Sequence, residues 1–148
     1  MSKIFVFGSN LAGRHGAGAA KAALEHHGAI YGKGVGHYGN SYALPTKDEN
    51  LKTLSLEDIQ GHVTMFLIYA TDNPELEFYV TKIGCGLAGY KPIDVAMFFK
   101  DAPKNCELPK EFVDIINRYK ALDELTQLSQ EMGLYDDDWE WMKHHNED

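Results

Sequence analysis

Two turns in this chain place flexible backbone beside side chains able to hold an anion. The first runs Gly8-Ser9-Asn10-Leu11-Ala12-Gly13-Arg14-His15-Gly16-Ala17-Gly18, and the second runs Gly84-Cys85-Gly86-Leu87-Ala88-Gly89-Tyr90. Glycine frees successive N–H groups to point at one place, and Arg14 and His15 donate hydrogen bonds that suit phosphate oxygens. A helix N-terminus adds roughly half a positive charge to such a turn. The chemistry implied is capture of a phosphate or diphosphate. Neither turn is a dinucleotide fingerprint or a P-loop, since Gly16-Ala17-Gly18-Ala19-Ala20-Lys21 lacks the closing glycine. At this level the plainer role, glycine as a tight strand-to-helix turn, stays open.

Other reactive residues are scattered. Thr46-Lys47-Asp48-Glu49-Asn50 reads as an exposed polar turn. Lys47 there is a surface lysine or a phosphate contact, and Asp48 is a turn acid or a partner that orients Lys47 and takes a proton. Cys85 has no recognisable His–Asp set beside it, so it reads as a small buried cysteine rather than a nucleophile. The histidine pairs His26-His27 and His144-His145 are adjacent and point apart on a helix, and Cys85 and Cys106 form no CxxC pair. Neither a metal nor a cofactor is expected.

These residues need elements to position them. Lys3–Gly8 is rich in Ile, Phe and Val and predicts a buried strand. Gly16–His27 carries an alanine-rich small-residue face and predicts a helix closed by Gly28. Nine of the fourteen glycines fall in the first 39 residues, so Gly28–Asn40 predicts a long loop, with His37 and Tyr38 as candidates for a lid. Ser41–Pro45 and Glu77–Ile83 predict strands. Between them Ser55 and Asp58 open a helix whose apolar residues are Ile59, Val63, Phe66, Leu67 and Ala70, stopped at Asn73-Pro74. Pro92 starts another helix. After Pro109, the series Phe112, Ile115, Ile116, Tyr119, Leu122, Leu125, Leu128 and Met132 predicts a long amphipathic helix ending at Gly133. Its stripe is expected to pack into the core, or else to form a homodimer interface. Alternating strands and helices predict an α/β fold with parallel pairing.

The 148 residues fit one domain, and their net charge is −8. Residues 109–148 hold four basic and eleven acidic side chains, while residues 1–108 hold ten and eleven. No basic stripe is visible, so a double-stranded nucleic acid is not an expected partner. No apolar run approaches the roughly 20 residues that span a bilayer, and the N-terminus lacks a signal-peptide pattern. A cytoplasmic protein with no membrane partner is expected.

The segments "FGSNLAGRHGAGAAKAA", "SYALPTKD" and "VTKIGCGLAGYKP" together resemble the macrodomains, and most closely the small macrodomain-like proteins of bacteriophage. The resemblance covers roughly residues 3–109. It implies a macrodomain-like mixed sheet flanked by helices, N-terminally shortened, forming a ligand-binding core over residues 1–108. Residues 109–148 are then an added C-terminal helix and acidic tail packed on the same domain. The implied ligand is ADP-ribose or a related nucleotide. On the matching positions, Ser9, Asn10, Arg14, His15, Gly16 and Gly18 form the first ligand loop, with Asn10 near the distal ribose. Gly84, Cys85, Gly86, Leu87, Ala88, Gly89 and Tyr90 form the second, which wraps the diphosphate, and Tyr90 either stacks on a base or ribose or packs the loop. "IGCGL" is similar to the branch that removes ADP-ribose from glutamate side chains. That branch's lysine matches Lys47, an imine-forming nucleophile if unprotonated near a sugar C1. Its aspartate position is Ala88. The resemblance therefore implies a module that captures an ADP-ribose-type nucleotide, sequestering it in phage–host conflict within a host cytoplasm. The alternative is a hydrolase acting through Lys47 and Asp48 on a protein or nucleic-acid adduct. A third role, an acidic tail meeting a basic partner, rests on charge alone.

Overall fold

The computed structural model describes residues 2–133. The expectations for the acidic tail beyond residue 133 lie outside the described residues. Strand β1 (Ile4–Asn10) leads into helix α1 (Gly18–His26), then strands β2 (Gly36–Tyr38) and β3 (Ser41–Lys47). Helix α2 (Leu56–Asp72) and strand β4 (Phe78–Val80) follow. Next come a short helix α3 (Pro92–Val95) that tightens into a 3-10 turn at Ala96–Phe99, strand β5 (Cys106–Glu107) and helix α4 (Lys110–Glu131). The five strands form one mixed sheet in the order β2-β3-β1-β4-β5. All neighbours pair in parallel except β2 with β3.

Alternation along the central strands divides the core between two faces. Ile4, Val6, Tyr42, Leu44, Phe78 and Val80 face α2, α3 and the start of α4, where Ile59, Val63, Phe66, Val95 and Phe112 complete the larger cluster. Phe7 and Ala43 point the other way, against Ala20 and Ala23 of α1. Alanine on α1 lets that helix lie close to the sheet. This second face is thinly covered: Phe5 stacks on His27 at 4.2 Å, and Tyr79 stays half exposed.

Three boundaries depart from the sequence expectation. Residues 28–40 are not all loop, because Gly36–Tyr38 pairs antiparallel with the start of β3 as an edge strand. His37 there bonds the Tyr69 hydroxyl at 2.6 Å. Neither it nor Tyr38 lines the cleft described below, so neither is a lid. Lys47 does not sit in an exposed turn but ends β3, after a fully covered Thr46. The strand expected at 77–83 shrinks to Phe78–Val80, since Thr81 folds its hydroxyl back onto the Val6 carbonyl at 2.7 Å.

The stripe on α4 also departs. Phe112 and Ile116 are buried and Ile115 is partly covered, but Tyr119, Leu122, Leu125, Leu128 and Met132 are exposed. Steps of three residues fall short of a 3.6-residue turn by about 60° each, so these side chains wind around the helix instead of sharing a face. Among the described residues, core packing therefore ends after the second turn of α4.

Candidate functional site

The site follows from where the chain leaves the sheet. After β1 it crosses to the α1 face, and after β4 it crosses to the opposite face. Adjacent parallel strands whose connections part in this way leave a crevice beyond their carboxyl ends. A cleft of about 850 Å³ lies there, lined by the loop after β1, the end of β3 and the loop after β4.

The first wall is held from within. Both ends of the Asn10 amide are engaged: Nδ2 donates to the Arg14 carbonyl at 2.8 Å, and Oδ1 accepts from the Arg14 N–H at 2.9 Å. Asn10 is thus the cap of its own loop. His15 was expected to reach the ligand, but it is buried and does not line the cleft. Its Nε2 lies 3.2 Å from the carbonyls of both Ile30 and Lys33, and its ring meets Phe7 edge-on. His15 pins the second glycine-rich segment under the first. The glycines between them serve the same packing. A Cβ on Gly13 would come within 2.3 Å of the Gly32 carbonyl carbon, and one on Gly34 within 2.1 Å of the Asn10 oxygen.

Beyond this packed zone the wall opens. Gly16, Ala17, Gly18, Ala19 and Ala20 line the cleft at the start of α1. That end has no side-chain cap and no acidic residue in its first turn. Its leading N–H groups therefore have neither a side-chain cap nor a carboxylate of their own first turn to compete with an anion. A Cβ on Gly16 would meet nothing within 4 Å, so glycine there leaves room for a ligand rather than for the chain itself.

The opposite wall is the turn after β4. Gly84, Cys85, Gly86, Leu87 and Ala88 line the cleft, while Gly89 and Tyr90 do not. Tyr90 packs against the core and donates its hydroxyl to the Leu54 carbonyl at 2.7 Å. Of the two roles open to Tyr90, stacking on a base or ribose and packing the loop, the anchor is the second. Gly86 would also place a Cβ in open space. The Cys85 thiol is pushed above its ordinary pKa by burial, aided by the charges of Asp94 and Glu111, so it is held protonated.

Lys47 lines the floor. A bulge between Ser9 and Asn10 shifts the β1–β3 register, so that Asn10 pairs with Lys47 where Ser9 pairs with Pro45. Bulges of this kind redirect a strand end beside a site. Asp48 does not line the cleft: its Oδ1 accepts the N–H groups of Asn50 and Lys52 at 2.8 and 3.0 Å. It holds its own turn and is not placed as a base.

Sequence reasoning missed Tyr31, Leu51, Thr81 and Lys82 in the lining. A tyrosine inside a glycine-rich segment was a usable signal for Tyr31. Lys82 approaches from the far side, where Glu111 of α4 bonds it at 2.9 Å and raises its pKa. Among the described residues the lining thus carries Arg14, Lys47 and Lys82 and no Asp, Glu or His, with the Lys82 ammonium already paired to Glu111. In a chain of net charge −8 this is a local reversal of sign. Among the described residues no His, Cys, Asp and Glu group could hold a metal, and no helix is long and apolar enough to cross a membrane. The chain is a mixed α/β protein; no protein-family profile, curated protein or solved structure matches it.

Proposed function

We propose that the cleft binds ADP-ribose or a closely related nucleotide diphosphate and holds it without turnover. The observation that carries this reading is the uncapped start of α1, facing the glycine turn after β4 across a cleft whose lining among the described residues holds Arg14 and Lys47 and no carboxylate. A diphosphate presents two adjacent anionic groups, and two N–H-rich walls with Arg14 and Lys47 between them complement that shape. The resemblance of the loop segments to macrodomains supports the same ligand class. Lys47 in the lining favours a second reading, hydrolysis of an ADP-ribose adduct. Against it, the lining offers no Asp, Glu or His for proton transfer among the described residues, Asp48 is spent on its turn, and Cys85 keeps its proton.

Calorimetric titration with ADP-ribose, followed by chromatography of the mixture, tests both. Saturable binding with ADP-ribose recovered intact is expected. At a hundred times Kd the ligand should stabilise the fold by about 2.7 kcal/mol. No heat and no melting shift at millimolar ADP-ribose would sink the proposal. Release of ADP-ribose from a modified glutamate peptide by the native chain, lost in Lys47→Ala, would establish the hydrolase instead.

A further inference from the structure

We infer that the cleft selects its ligand by the diphosphate and is indifferent to the base attached to it; this rests on the nucleotide reading above. The argument concerns which side chains are left to read a base. The serine, threonine and asparagine side chains in the lining are committed to the protein itself, which leaves the lone Tyr31 hydroxyl, a single group that cannot pair bidentately with a base edge. Ser9 Oγ donates to the Gly34 carbonyl, Thr46 Oγ1 to the Ser9 carbonyl at 3.3 Å, and Thr81 Oγ1 to the Val6 carbonyl. The Asn10 amide is engaged at both ends by Arg14, and the residue is buried. Ser9 and Thr46 are in addition almost fully covered. Among the described residues the lining holds no carboxylate to accept from an exocyclic amine. The bidentate side-chain amides and carboxylates that tell one base edge from another are therefore missing.

What the cleft does present to a flat ring is apolar surface. Tyr31, Leu51 and Leu87 line it and are 62%, 45% and 68% exposed, large values for such side chains. Tyr31 is also held in place. Its ring stands edge-on to the buried His15, whose Nε2 bonds the carbonyls of Ile30 and Lys33 on either side of it. An exposed aromatic ring in a lining that also carries two leucines stacks on any base, because every base has a π-face. Discrimination then falls to the charged centre of the ligand. With Arg14 and Lys47 engaged on the phosphate groups, no side chain of the described lining remains to pair bidentately with a base edge.

Titration of ADP-ribose, GDP-ribose and UDP-ribose against the native chain tests this. Dissociation constants within tenfold of one another are expected, with AMP and ribose 5-phosphate each at least tenfold weaker than ADP-ribose. A preference of more than tenfold for one base, or AMP binding as tightly as ADP-ribose, overturns the inference and leaves the nucleotide site standing. If none of the three binds, the nucleotide reading itself fails, and the inference with it. Tyr31→Ala removes an exposed ring and leaves the core untouched, so it should fold as the native chain does. It should weaken all three ligands alike, by roughly tenfold. A loss confined to the adenine ligand would show base-specific contact and overturn the inference too.

Discussion

The wall of the cleft after β1 and the wall after β4 are both glycine-rich, yet their glycines answer different needs. In the first, Gly13 and Gly34 sit where backbone meets backbone, with Asn10 and His15 fastening the segments by side-chain hydrogen bonds. In the second, Gly86 faces open space and Leu87 projects into solvent. That turn closes on itself through Cys85 N–H to Lys82 and Gly89 N–H to Gly86, and Thr53 Oγ1 ties it outward by bonding the Ala88 carbonyl at 3.1 Å. One wall is part of the core's architecture, and the other is shaped for what lies outside it. A glycine count along the sequence merges these two uses.

The largest effect that separates them is on folding. Gly34→Ala drives a methyl group into the Asn10 carbonyl, which belongs to backbone and cannot swing away. A stability loss of about 3 kcal/mol is expected, or a melting temperature lower by roughly 10 °C. Gly16→Ala, whose methyl meets nothing, should melt within a degree or two of the native chain. Equal melting of the two variants would dissolve the distinction between packed and open glycines.

Gly86→Val carries the comparison to the other wall, with a smaller effect on the fold. Its side chain enters free space, so stability should change by less than about 0.5 kcal/mol. Affinity for ADP-ribose should nevertheless fall by tenfold or more, about 1.4 kcal/mol, because the branched side chain blocks close approach to the turn. Normal binding by a folded Gly86→Val would mean that this wall does not cradle the ligand.

How far the sequence announces all this depends on the range of the cause. The β1 strand, the Ser55 cap, the Asn73 stop and the Pro92 start are written in local pattern, and each stands where expected. The two glycine turns border one cleft because the strands before them are neighbours, a consequence of α/β wiring that the element order implies. Leu51 was hidden because its loop reaches the cleft through tertiary packing, not through adjacency in the chain, whereas Tyr31 at least stands out in its glycine-rich segment. His15 misled for the same reason: a polar residue in a polar loop gives no hint that Gly13 and Gly34 draw a second loop down over it. Two-residue β5 is too short to carry any pattern, and it exists because Phe78 and Tyr79 offer it an edge. The α4 stripe has the right composition but the wrong phase, which a count of apolar residues overlooks.

The smallest effect reads the outer wall directly. Cys85 lies in that turn and lines the cleft, whereas Cys106 is in edge strand β5, outside it. Burial raises both thiols, and Cys106 is pushed up to about 11. Alkylation proceeds through the thiolate, so for both residues the rate should climb with pH toward those raised values, about tenfold per unit below them. The sign is fixed by the acid: below its pKa a thiol keeps its proton, and a higher pKa means slower reaction at pH 8. Added ADP-ribose should slow iodoacetamide labelling of Cys85 severalfold and leave Cys106 unchanged, as followed by peptide mass spectrometry. Thr53→Ala removes the tie to Ala88 and should speed Cys85 alone, because the turn then opens more often. If ligand protects Cys106 as strongly as Cys85, protection comes from global stabilisation, and the turn after β4 is no more mobile than the packed wall it faces.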